Sequence, residues 1–165
     1  MKNILLVGMP GCGKSTVGVI LAKTLGMSFV DTDLLICAKE EDTLQNIIEA
    51  KGLDYFQQTE CEVGENLSVK NTVIATGGSM ILYESAMKSL KEKSTVVYID
   101  VSLDELKKRL VNIKTRGITF SEGETLEDIF LSRTPLYKKY ADITVDADSF
   151  TIEENVTRIT ELIKN

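Results

Sequence analysis

Residues 8–16, Gly8-Met9-Pro10-Gly11-Cys12-Gly13-Lys14-Ser15-Thr16, fill the pattern G-x-x-x-x-G-K-[ST] at every fixed position. The chemistry of that spacing is phosphate capture. Glycines let backbone N–H groups wrap an anion at the positive end of a helix, the lysine reaches the outer phosphates, and the hydroxyl after it suits Mg2+. Gly11, Cys12, Gly13, Lys14, Ser15 and Thr16 are therefore the candidate nucleotide-binding residues, Ser15 is a candidate metal ligand, and Lys14, an exposed loop lysine on this reading, is a catalytic candidate. A nucleoside triphosphate is the expected ligand. Cys12 reads as a small side chain at a variable position of the loop.

Two further clusters carry chemistry. Asp31-Thr32-Asp33 places carboxylates on alternate positions, where one can help hold Mg2+ through water and the other can bind an acceptor hydroxyl and take its proton. The plainer reading is that Asp31 or Asp33 caps a helix, a position that aspartate favours. In Thr76-Gly77-Gly78-Ser79, paired glycines admit close approach of backbone to a substrate or a phosphate, and also suit a tight turn. The chain has no histidine, which removes Ser-His-Asp and Cys-His nucleophilic machinery and leaves carboxylates, Lys14 and arginines. Phosphoryl transfer needs little more, because it runs on positioning and charge neutralisation.

These residues need a scaffold, and the hydrophobic pattern supplies one. Strand-like runs recur at Asn3–Val7, Ser28–Val30, Thr72–Ala75, Thr95–Val101 and Asp142–Val145. Helical patterns lie between them, at Lys14–Leu25, Leu34–Lys51 with a break near Glu41-Asp42, Asp54–Val69, Ile81–Leu90, Leu103–Val111, Thr125–Tyr140 and Ile152–Ile163. The alternation predicts an α/β fold whose five-stranded parallel sheet is covered on both faces. Thr43 and Ser102 are expected helix caps, with Glu105 at the capping-box position after Ser102. Ligands of such sheets collect beyond the carboxyl ends of the strands, where all three clusters fall.

The 165 residues, 43% of them hydrophobic, suffice for one domain with a real core. A basic leader and an apolar run of spanning length are both missing from the pattern, so a cytoplasmic protein with no membrane association is expected. Cys12, Cys37 and Cys61 include no C-x-x-C pair and are odd in number, which fits reduced thiols. A formal net charge of −6 argues against nucleic-acid binding.

Together these pieces resemble the shikimate kinase family over essentially the whole chain. The resemblance rests on the phosphate loop, Asp31-Thr32-Asp33, Gly52 followed by Phe56 and Glu60, the run Val73-Ile74-Ala75-Thr76-Gly77-Gly78, and Arg133-Thr134-Pro135-Leu136-Tyr137 leading to Ala141-Asp142. It implies a three-layer phosphate-loop kinase of residues 1–165, with an acceptor-binding region at about 31–62 and a mobile lid at about 112–124. It further implies ATP as co-substrate, Mg2+, shikimate as acceptor and a monomer. By resemblance, Asp31 joins Ser15 in placing Mg2+, while Asp33 contacts the ring hydroxyls as candidate base. Gly77 and Gly78 line the acceptor site with backbone, and Arg133 binds the acceptor carboxylate. Arg116 is the lid arginine that meets the transferring phosphate, and Arg109 packs on adenine, closed from the other side by residues near 146–150. On their own local sequence, Arg109 is equally one more charge on a helix face and Arg116 a solvated loop residue.

Three departures stand out. Gln57 replaces the family's arginine that shares the carboxylate with Arg133, a change from a charge-assisted to a neutral hydrogen bond that is worth about 1.5–3 kcal/mol. Ser79 stands where a third glycine is usual and adds a hydroxyl near the acceptor. Gly117-Ile118 replaces Pro-Leu and is expected to loosen the lid. These departures leave two other readings: a kinase of the same fold with a less acidic acceptor, and a nucleotide-binding protein of this kind with little transfer activity.

Overall fold

The computed structural model describes residues 2–110 and 123–164. Five strands, β1 (Asn3–Val7), β2 (Ser28–Asp31), β3 (Thr72–Ala75), β4 (Ser94–Asp100) and β5 (Ile143–Asp146), form one sheet in the order β2-β3-β1-β4-β5, every neighbouring pair parallel. The register pairs Leu5 with Ile74 on one side and with Val96 on the other. Central β1 and β3 are buried at every residue, as continuous apolar runs require when helices cover both faces of a sheet.

The helices are α1 (Lys14–Leu25), α2 (Thr32–Glu40), α3 (Leu44–Lys51), α4 (Leu53–Asn66), α5 (Glu84–Glu92), α6 (Leu103–Arg109), α7 (Leu126–Tyr140) and α8 (Ile152–Lys164), with a 3₁₀ turn at Met80–Leu82. The expected break in the second helical region is real. Glu41 adopts a left-handed φ of 56° and ends α2, and the Thr43 hydroxyl then caps α3 by accepting from Asn46 N. At α6 the expectation needs correction. Ser102 Oγ does accept from Glu105 N, but the Ser102 amide goes to Asp148 Oδ1 at 3.0 Å, while Glu105 pairs with Arg109 at 3.0 Å. The reciprocal box forms instead at α7, between Thr125 and Asp128.

Packing divides in two. The main core surrounds the sheet, from Leu5 and Leu6 to Tyr98, Tyr137 and Ile159. A satellite core of Ile36, Ile47 and Phe56 joins α2, α3 and α4, the segment between β2 and β3. The loops leaving β1, β2 and β3 converge over the space between these two cores.

Candidate active site

The phosphate loop connects β1 to α1. Gly13, the residue before α1, has φ 97°, a conformation that a side chain resists, so the turn into the helix needs glycine there. Lys14 is buried rather than exposed: its Nζ donates to the carbonyls of Gly8 at 2.7 Å and Met9 at 2.9 Å, with Cys12 Sγ at 3.7 Å. Cys12 is itself a free thiol packed in the core, not a surface ornament of the loop.

Asp31 fills both roles that its sequence allows. Its Oδ1 accepts from Asp33 N at 2.9 Å, which caps α2, while its Oδ2 accepts from Ser15 Oγ at 2.6 Å. The hydroxyl and carboxylate so joined are hard oxygen donors beside the phosphate loop, a fitting donor set for Mg2+, which takes few protein ligands and completes its shell with water and phosphate oxygens. Asp33 is then released from capping and lines the cavity. Burial raises its carboxyl to about 6, with repulsion from Asp31 adding and attraction to Lys14 opposing.

A cavity of about 210 Å3 is lined by Lys14, Ser15 and Thr16 on one side and by Asp33, Phe56, Glu60, Gly77, Gly78, Ser79 and Arg133 on the other. A Cβ at Gly77 would stand 2.5 Å from Glu60 Oε1 and 2.6 Å from Asp33 Oδ1, so any other residue there would push the two carboxylates aside. Its amide donates to the wholly buried Thr32 hydroxyl at 3.0 Å, joining the start of α2 to the turn that follows β3. Gly78 is held from α7, where Tyr137 OH donates to its carbonyl at 2.7 Å and the Tyr137 ring stacks on Tyr98 at 5.3 Å. One turn before Tyr137, Arg133 lies on the same face of α7, buried against the cavity. Lys14, Ser15, Asp33, Gly77, Gly78 and Arg133 are thus brought to one space.

Gln57 is not among the residues that line it. It is half-buried on α4, whose Phe56 and Glu60 face the cavity while Gln57 falls outside the lining residues. Arg116, with residues 111–122, lies outside the described residues. Arg109 lines a second cleft of about 480 Å3 on the other side of the phosphate loop, together with Gly11, Cys12, Gly13, Thr16, Ala147 and Phe150. Glu105 holds its guanidinium at 3.0 Å, and Arg158 stacks over the Phe150 ring at 4.0 Å.

Glu60, quoted above only as part of a pattern, proves central. It is wholly buried, and its Oε2 accepts from Ser79 Oγ at 2.5 Å and from Tyr83 OH at 2.9 Å, whereas Oε1 has no hydrogen-bond partner among the described residues. Burial raises its carboxyl to about 7, against the two hydroxyl bonds, with Asp33 adding repulsion and Arg133 a weaker attraction. Burial and Glu60 together push the Tyr83 phenol well above its ordinary value. A glutamate in an otherwise amphipathic helix, at the spacing i, i+4 from a buried Phe56, is the sequence signal for it.

The sign of the resulting linkage is set by that rise. An acid that titrates higher when folded stabilises the fold below its unfolded value near 4.5, and that stabilisation is lost as pH climbs through about 7. Glu60→Gln stays neutral throughout. Relative to the unsubstituted chain, its Tm should therefore gain as pH goes from 5 to 8, by several degrees for a linkage of a few kcal/mol. Thermal melts of the two proteins across that range check this, and a Tm difference independent of pH would show that Glu60 carries no such linkage.

A parallel sheet with a phosphate loop after its first strand, paired aspartates after the second and a glycine turn after the third, all facing one cavity, defines a phosphate-loop phosphotransferase. The comparisons with known proteins narrow the class. The model of the family described as shikimate kinase matches residues 10–164. A shikimate kinase of Sulfurihydrogenibium sp. is 39% identical over 96% of this chain and 98% of its own length, and one of Clostridium botulinum is 35% identical over 100% and 99%. Among solved structures, shikimate kinase from Acinetobacter baumannii in complex with shikimate is 34% identical and superposes with a TM-score of 0.91, covering 99% of this chain and 93% of that one. The Aquifex aeolicus enzyme gives 0.86 at 34% identity, over 98% and 96%. The chain belongs to the shikimate kinase family, whose members are ATP-dependent phosphotransferases.

Proposed function

We propose that this chain moves the γ-phosphate of ATP to a ring hydroxyl of shikimate, giving shikimate 3-phosphate in the pathway to chorismate and the aromatic amino acids. The observation that carries the reading is the shared cavity: Lys14 and Ser15 border it from the donor side, and Asp33 and the buried Arg133 border it from the acceptor side. On this reading the loop amides and Lys14 hold the triphosphate, with Arg109 and Phe150 enclosing the base. Ser15 and Asp31 would hold Mg2+, which would neutralise charge on the phosphate oxygens. Arg133 takes the acceptor carboxylate, and the backbone of Gly77 and Gly78 borders its ring. Asp33 binds the attacking hydroxyl and accepts its proton, a role suited to a carboxylate raised towards neutrality. Arg116 meets the transferring phosphate.

The whole chain acts as one catalytic domain. We read it as a monomer from the family resemblance alone, and its three free cysteines accord with a reducing cytoplasm. The acidic balance fits a small-molecule partner rather than nucleic acid. Among the described residues no helix is long and apolar enough to cross a membrane.

ATP-consumption assays with shikimate and a panel of uncharged polyols test the acceptor directly. Turnover with shikimate is expected, and turnover with a polyol alone overturns the reading. Gln57→Arg sharpens the test. A second cation next to Phe56 should lower KM for shikimate by about tenfold, the lower end of a charge-assisted hydrogen bond, with little change in KM for ATP. An unchanged KM for shikimate would mean that position 57 does not reach the acceptor.

A further inference from the structure

Arg133 and Glu60 border one cavity, both buried, yet no ion pair joins them: among the described residues none of the five ion pairs includes either side chain. Such an arrangement needs a cause, since a buried carboxylate and a buried guanidinium in one pocket gain most by meeting. The cause is visible on the other side of Glu60. The hydroxyls of Ser79 and Tyr83 both donate to its Oε2, at 2.5 and 2.9 Å, and Oε1 faces the Gly77 backbone and Asp33. The groups around the carboxyl are therefore Asp33 from α2, Ser79 and Tyr83 from either side of the 3₁₀ turn, and Arg133 from α7. Ser79 has room for this. It sits at φ −92° and ψ −8°, ordinary for any residue, and opens the 3₁₀ turn, whereas neighbouring Gly77 and Gly78 would drive a Cβ into Glu60, Asp33 or Pro10. The Ser79 hydroxyl is accordingly committed to Glu60 in the cavity wall.

We infer that Ser79, seconded by Tyr83, is a positioning residue that latches Glu60 away from Arg133 and so keeps the Arg133 guanidinium free for the carboxylate of the acceptor. The latch acts on acceptor affinity, through Arg133, and not on the chemical step. It rests on the acceptor reading given above, because only an anionic acceptor needs that cation unpaired. Without the latch, Glu60 turns to Arg133 and an acceptor carboxylate has to displace it.

A double-mutant cycle measured at pH 8, with Glu60 ionised, tests this. Ser79→Ala should raise KM for shikimate by about tenfold, the scale of one charge-assisted hydrogen bond, with kcat and KM for ATP close to their starting values. Tyr83→Phe, which removes the other hydroxyl donor, should shift KM in the same direction and serves if Ser79→Ala folds poorly. The deciding measurement adds Glu60→Gln, which removes the competing charge. In that background Ser79→Ala should no longer raise KM for shikimate, whereas a merely structural role for Ser79 would leave the same penalty in both backgrounds. A persistent penalty overturns the latch while leaving the acceptor reading standing. A starting protein that neither binds nor phosphorylates shikimate overturns both.

Discussion

Lys14→Ala should lower kcat for phosphoryl transfer by about three orders of magnitude, the scale on which a positioned cation stabilises charge on a transferring phosphoryl group. The side chain carries two tasks that are separable by experiment. Its Nζ donates to the carbonyls of Gly8 and Met9, which ties the phosphate loop to its own lysine, and it stands on the wall facing Asp33 and Arg133. Because Lys14 is buried, removal also leaves two loop carbonyls short of a donor, so Tm should fall by a few degrees, in line with hydrogen bonds to a charged group of about 1.5–3 kcal/mol. Steady-state kinetics alongside a thermal melt distinguish the two. A protein folded at assay temperature yet nearly inactive fits the assignment, and near-normal turnover would sink it.

Asp33→Asn should lower kcat by about two orders of magnitude or more, the usual worth of a positioned proton acceptor, while leaving KM for ATP little changed. The division between the two aspartates is the reason. Asp31 spends Oδ1 on the cap of α2 and Oδ2 on Ser15, which binds it to the nucleotide side. Asp33 faces the cavity with its carboxyl raised by burial to about 6, available to a hydroxyl. Asparagine keeps the shape and loses the proton acceptor. Should Asp33→Asn instead weaken ATP binding and keep its saturated turnover, the roles of the two aspartates would have to be exchanged.

What the sequence made legible was what depends on local pattern. Strands β1 and β3 fall at Asn3–Val7 and Thr72–Ala75, as read from the chain, because unbroken apolar runs have only the sheet interior to enter. The break at Glu41 was legible from acidic residues followed by a threonine cap. Side-chain partners across long separations were not. The Ser102 box failed because Asp148, 46 residues away, competes for the amide that Glu105 was expected to take. Lys14 looked exposed because a loop motif carries no sign of the carbonyls it folds over. Gln57 is assigned to the acceptor only through the family arginine whose place it takes, and on α4 the helical step of 100° per residue sets it apart from the residues, Phe56 and Glu60, that line the cavity. Ser79 registered only as an extra hydroxyl, since its partner Glu60 lies 19 residues earlier on another element.

The satellite core has an evolutionary consequence. Ile36, Ile47 and Phe56 are buried against one another among α2, α3 and α4, apart from the residues that pack the sheet. Phe56 and Glu60 of the cavity wall, and Asp33 at the start of α2, are thus carried on helices with a small core of their own, tied to the rest of the fold by Ser15 to Asp31, Thr32 to Gly77, Glu60 to Ser79 and Tyr83, and the packing of α4 on α5. Substitutions within that small core, at Ile36, Ile47 and Phe56, are expected to reshape the cavity wall before they reach the strand pairing. Donor chemistry and acceptor choice can then diversify at different rates within one chain, with Gln57 among the positions where such drift costs folding little.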